Sequence, residues 1–166
     1  MLDFEVIPSN VDETFPKEML PATVPEYLAE LKADNLFNQF PERTIIAADT
    51  VVLIGNEILN KPKDKSEAKE MLKKLSGNMH QVITGVCVIN QGVKNTFSEM
   101  TKVFFKTLTV KEIEFYIDNF KPFDKAGGYG VQEWIGYIGV EKIEGSFYNV
   151  MGLPVNKVYE ILNCIE

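Results

Sequence analysis

The stretch IIAADTVVLIGNEILNKPKD, Ile45–Asp64, decides the fold, because it sets one acid, Asp49, inside what reads as a buried strand. Ile45, Ile46, Ala47, Ala48, Val51, Val52, Leu53 and Ile54 surround it. A carboxylate in such a run is costly to desolvate unless a metal, a cation or hydrogen-bond donors meet it. Gly55-Asn56 reads as a two-residue hairpin turn, glycine supplying the positive φ, and Glu57 to Asn60 runs back antiparallel. With Ile54 opposite Glu57, counting back puts Lys61 opposite Thr50, one residue from Asp49. Strict alternation would send Asp49 and Lys61 to opposite faces. Pro62 cannot donate to the ladder, so pairing should fail there and free the lysine. Acid and ammonium then share one strand end, where open α/β sheets commonly place ligands. A structural acid satisfied by backbone N–H groups or by Lys61 is the competing reading, and position alone weighs the two about equally.

Outward from this hairpin, helical and extended patterns alternate. Phe4 to Pro8 is a short strand candidate. Thr23 to Glu26 has the form of a capping box with Pro25 in the first turn, and Tyr27, Leu28, Leu31 and Leu36 give the helix an apolar face. Asp64 to Glu67 is a second capping box; Ala68, Met71, Leu72 and Leu75 follow at helical spacing and Gly77 ends the helix. Strands are expected at Gln81 to Asn90 and Thr96 to Lys106, around a turn at Asn90 to Gly92. Thr109 and Glu112 open a third helix that buries Ile113, Tyr116, Ile117 and Phe120. Trp134 to Ile143, a Glu144-Gly145 turn and Ser146 to Val150 read as another hairpin. A last helix begins near Pro154 and buries Val155, Val158, Tyr159 and Leu162. The alternation predicts a mixed sheet covered by helices, in one domain over residues 1–166.

A chain of 166 residues can bury a full core, and a formal net charge of −7 argues against nucleic-acid or anionic-membrane partners, which demand a basic face. A local lysine cluster can still hold a small polyanion. No apolar run is long enough to span a bilayer and Met1 opens no signal-peptide pattern, so a cytoplasmic protein is expected. Cys87 and Cys164 lack the spacing of a metal site or a disulfide framework.

Charge appears where packing does not require it in SNVDE, with Asp12 and Glu13, at Lys32, at Asp49 with Lys61, and in KPFDKAGGYGVQ, Lys121 to Gln132. Adjacent acids can hold a hard cation such as Mg²⁺ while phosphates complete its shell, although a solvated acidic loop is the commoner outcome. Lys32 by itself reads as a surface lysine. In the last segment Gly127, Gly128 and Gly130 permit close backbone approach, Lys125 offers a charge for phosphate and Gln132 an amide able to read a base edge. The segment matches neither a Walker nor a Rossmann pattern. Tyr129 reads as a packed aromatic, and His80, the only histidine, as a packing or capping residue.

The ordered set SNVDE, LAELKA, AADTVV, ILNKPKD, AKEMLKKLSGNMHQVITGV, DKAGGYGVQ and IEGSFYNVMGLP resembles the Maf family of nucleoside triphosphate pyrophosphatases. The resemblance implies an α/β fold similar to the inosine triphosphate pyrophosphatases, a mixed sheet with flanking helices and a cleft between two lobes. It implies hydrolysis of a nucleoside triphosphate to monophosphate and diphosphate with a divalent cation, Mg²⁺ or Mn²⁺, and is compatible with a homodimer. Asp49 of AADT matches the family's proton acceptor, and Thr50 and Gln132 match positions that influence base choice. Asp12, Lys32, Lys61 and Lys125 match a polar set lining the cleft, with Asp12, Glu13 and Asp49 as the expected metal ligands. AADT with DKAGGYGVQ resembles the dTTP/UTP branch, and modified pyrimidine triphosphates are further candidates. Glu133 stands where many relatives have glycine. The family's opening strand, Ser-x-Ser-Pro-Arg-Arg loop and helix have no counterpart ahead of DFEVIPS, which should leave a gap in the sheet and remove arginines from the triphosphate site. The alternative reading is therefore a nucleotide-binding or regulatory module of low activity, linked to septum formation.

Overall fold

The structure is a computed structural model that describes residues 3–164. Its centre is a five-stranded sheet of β1 (Ile45–Ile54), β2 (Glu57–Leu59), β3 (Met79–Asn90), β4 (Val93–Phe105) and β5 (Val140–Glu144), in the order β2-β1-β3-β4-β5. The expected α/β architecture with flanking helices is found, and every pairing among these strands is antiparallel. The hairpin at Gly55 forms as read, with Ile54 opposite Glu57 and Gly55 at φ +59°. Pairing stops at Leu59, three residues before Pro62. Ahead of Val52, β1 therefore has no strand on its outer edge among the described residues.

Side-chain alternation gives the sheet two dressed faces. Ile45, Ala47, Val51, Leu53, Ile83, Cys87 and Ile89 pack under α1 (Val24–Gln39), whose Val24, Leu28, Ala29, Ala33 and Leu36 are buried. On the other face Val52 and Val82 join α2 (Lys65–Leu75) and α3 (Val110–Phe120), and Val86 and Val88 meet Val158 of α6 (Val155–Cys164). Helix α1 reaches its face because position 85 is glycine: a Cβ there would lie 2.3 Å from Glu26 N and from the Pro25 carbonyl carbon.

Side-chain caps fix the starts of α2 and α3. Thr109 and Glu112 make the full capping box at α3. At α2, Asp64 accepts from Glu67 N–H, while the Glu67 carboxylate reaches one residue further back, to Lys63 N–H. The box expected at Thr23 does not form. A 3-10 turn at Pro21–Thr23 precedes α1, and the Thr23 hydroxyl donates to the Leu20 carbonyl instead.

Three further expectations are corrected. Residues Phe4 to Pro8 form no strand: Phe4 and Val6 stand in solvent and only Ile7 packs, against the cluster under α1. The hairpin expected from Trp134 to Val150 is instead α4 (Trp134–Gly139), β5, and α5 (Phe147–Val150). Gly136 lets the loop before α4 lie against the helix, because a Cβ there would sit 1.8 Å from the Val131 carbonyl oxygen, and Ser146 caps α5 by accepting from Asn149 N–H. Among the residues expected inside, Phe120, Val155 and Tyr159 are exposed, and Tyr27 is too, at the rim of its helix. No helix among the described residues is long and apolar enough to cross a membrane.

Candidate active site

Asp49 and Thr50 point to opposite faces of β1, and both line the same cleft. They can do so because the strand edge beside them is open, so that the cavity wraps around it. On one side a cavity of about 390 Å³ is lined by Thr50, Val52, Val82, Lys125, Tyr129 and Gln132, among others, and reaches Asp49, Lys32 and Lys61. A neighbouring one of about 250 Å³ lies toward α1, with Glu13, Phe15, Val24 and Leu28, and shares Asp49, Thr50, Lys61 and Ala126 with the first. The cleft thus opens at the middle of β1, where β2 stops, whereas the sequence placed Asp49 and Lys61 at a strand end.

Lys32 answers the question of what meets Asp49. It projects from α1 and places Nζ 2.5 Å from Asp49 Oδ1 and 2.7 Å from Glu13 Oε1. The side chains of Lys32 and Asp49 are only 15% and 10% exposed, so this ion pair lies largely out of water. Burial raises the Asp49 carboxyl above its ordinary value, and the bond to Lys32 offsets only part of that rise. Burial also works against the Lys32 ammonium, but its bonds to Asp49 and Glu13 outweigh the penalty and hold its pKa above the usual lysine value. Glu13 is shifted downward, chiefly by its hydrogen bond to Lys32. Lys61, exposed, stands 3.7 Å from Glu13 Oε2, so the two lysines bracket one carboxylate.

The opposite wall is the glycine-rich segment. A 3-10 turn at Ala126–Gly128, with Gly127 at φ +70°, presses against Val52 so closely that a Cβ would come within 3.0 Å of that side chain. Lys125 at the mouth of the turn pairs with Asp124 at 2.9 Å and with Glu133 at 3.3 Å. Glu133 in turn accepts from the Tyr116 hydroxyl, which accepts from Gly130 N–H at 3.0 Å. Below the turn, the Tyr129 hydroxyl meets His80 Nε2 at 2.6 Å inside the core. Burial lowers His80 to about 4, and the ring is neutral above that range.

Asp49, Thr50, Lys32, Lys61, Lys125 and Gln132, all singled out from the sequence, line one cleft. Glu13 joins them through Lys32; Asp12 is exposed and lines neither cavity. Among the described residues no group of three or more His, Cys, Asp or Glu side chains could hold a metal ion. Of Asp12, Glu13 and Asp49, the last two come together on Lys32 Nζ. Sequence reading missed Asp124 and the Val150–Gly152 turn, which also line the cleft. The turn left a signal, a glycine between apolar residues in MGLP, and Gly152 indeed has φ +109°.

The Maf family, described as Maf-like protein, matches residues 1–165. The chain belongs to the Maf family. This Maf chain is 48% identical over 161 residues to a dTTP/UTP pyrophosphatase of Cytophaga hutchinsonii, an alignment that covers 97% of the chain and 74% of that protein. It is 52% identical over 161 residues to one of Thermosipho africanus, covering 97% and 82%, and 47% identical over 163 residues to one of Parabacteroides distasonis, covering 97% and 84%.

Proposed function

We infer that this Maf chain hydrolyses dTTP and UTP, the nucleotides named for its relatives, to the nucleoside monophosphate and diphosphate. The observation that carries the reading is a buried carboxylate, Asp49, held by Lys32 at the edge of a cleft that also presents Lys61 and Lys125. Asp49 accepts a proton from the attacking water, a role its burial favours because a raised pKa makes a stronger base. The water oxygen bonds to the α-phosphorus, the bond from that phosphorus to the bridging oxygen breaks, and the electron pair leaves with the diphosphate. Lys61 and Lys125 take up the negative charge that develops there. Lys32 orients Asp49 and Glu13, while Thr50 and Gln132 face the base. Asp49, through the oxygen that Lys32 leaves unpaired, and Glu13 beside it are the carboxylates that would hold a divalent cation such as Mg²⁺ or Mn²⁺, which is bound by one or two carboxylates with phosphate oxygens and would supply Lewis-acid polarisation of the phosphates.

Turnover of UTP in ¹⁸O-labelled water tests the reading. The label is expected in UMP, with unlabelled diphosphate as the second product. Label in the diphosphate, or release of UDP and inorganic phosphate, overturns attack at the α-phosphorus.

A further inference from the structure

The pyrimidine-triphosphate reading leaves open how the cleft tells one pyrimidine from another, and a chain of hydroxyls behind Thr50 bears on it. Asn149 of α5 is wholly buried, its side-chain amide donating to Val82 O at 3.1 Å and to Thr101 Oγ1 at 3.0 Å. Its own backbone carbonyl accepts from Thr84 Oγ1 at 3.0 Å. A carbonyl oxygen has lone pairs only, so the single hydroxyl proton of Thr84 is committed to that bond. Thr84 Oγ1 also lies 2.8 Å from Thr50 Oγ1, and with its proton engaged it can only accept there. The proton of the Thr50 hydroxyl therefore points back into the sheet. Thr84 is 0% exposed, so no solvent competes for this arrangement.

Toward the cleft, Thr50 then offers lone pairs and no hydrogen. Its neighbour across the cavity wall, Gly152, keeps it open: a Cβ built there would stand 3.6 Å from Thr50 Oγ1, and a longer side chain would cover the hydroxyl. A base that meets Thr50 must bring the hydrogen itself. Uracil and thymine carry one on ring N3, whereas cytosine presents a bare lone pair at that atom.

We propose that Thr84, acting as a positioning residue through Thr50, makes the cleft select pyrimidines with a hydrogen on N3 over cytosine. This inference rests on the pyrimidine-triphosphate reading, and its test uses binding, so that the two can fail separately. Calorimetry with the α,β-methylene analogues of UTP and CTP reads base selection whether or not the chain turns over. The parent should bind the UTP analogue at least about tenfold more tightly, the scale on which a site rejects a mispaired polar edge. The 3-methyluridine form of that analogue should lose a comparable factor.

Thr84→Val, nearly isosteric but unable to hold the proton of Thr50, frees that hydroxyl to donate. The preference should shrink severalfold, and Thr84→Ser should restore it. A purely structural role for Thr84 would lower stability without moving the ratio. Equal binding of the UTP and CTP analogues by the parent overturns the proposal. So does undiminished binding of the 3-methyl form, which needs no variant to fold, or an unchanged ratio in a folded Thr84→Val protein.

Discussion

At Asp49, burial and the Lys32 ammonium pull a single carboxyl in opposite directions, and burial wins. Asp49→Asn keeps the shape but cannot take a proton. Turnover of UTP should fall about 10²–10⁴-fold, the usual weight of a general base, while the melting temperature stays within a few degrees. Retention of the parent rate would remove Asp49 from the mechanism. The raised carboxyl also sets two opposite pH trends. Turnover needs the ionised form, so its acid limb should lie above the ordinary value of 3.8. For stability, the folded protein binds a proton that the unfolded chain has already released, so this group's contribution is present at low pH and is lost as pH rises through the folded pKa. Lys61 and Lys125 line the cleft, and the proposed reaction puts them near the leaving diphosphate. Alanine at either should weaken binding of the triphosphate analogue more than that of UMP in calorimetry, and equal losses would move them away from the diphosphate. Residues such as these were legible because charge stood out against packing. Lys32 was harder: only the fold shows that its helix turns it inward onto Asp49.

Helix α1 carries Lys32 to Asp49 only because it lies flat on β1 and β3 over Gly85, the residue paired with Asp49. Gly85→Ala should drive the two apart. Overpacking of this kind costs about 1–3 kcal/mol, so a lower denaturation midpoint with a larger fall in turnover is expected. A stable variant with parent kinetics would show that the helix position does not matter. Most elements could be read from capping residues and periodicity: the β1–β2 hairpin, α2, α3 and the β3–β4 pair all lie where the pattern puts them. The region from Trp134 to Val150 resisted that reading, since its β-branched and aromatic residues suit a strand. The tight approach of Gly136 to Val131 and the burial of Asn149 are tertiary facts with no local signature.

Across the molecule, His80 on β3 and Tyr129 on the glycine-rich wall tie the two sides of the cleft together through the core. Because burial lowers His80 from 6.5 to about 4, the unfolded chain binds a proton in that interval that the folded one does not. Stability should therefore be fully present above about pH 6.5 and should fall as pH drops toward 4, by a total on the order of 3 kcal/mol. Urea midpoints measured across this range should show the slope. A His80→Leu/Tyr129→Phe double variant, which removes both polar partners, should lose it, and an unchanged slope would assign it to other groups. Sequence alone suggested a packing role for His80 but gave no hint of its partner, which is 49 residues away. The open edge of β1 carries one more consequence. Because the cavity takes Asp49 from one face and Thr50 from the other, the proton-accepting and base-reading positions of the proposed reaction are consecutive residues of one strand. A slip of β1 by a single residue against β3 would turn each to the opposite face, taking the acid away from Lys32 and the hydroxyl away from Thr84. The long ladder from Ile45↔Ile89 to Leu53↔Gln81 thus acts as the molecule's alignment gauge, holding catalysis and discrimination in phase.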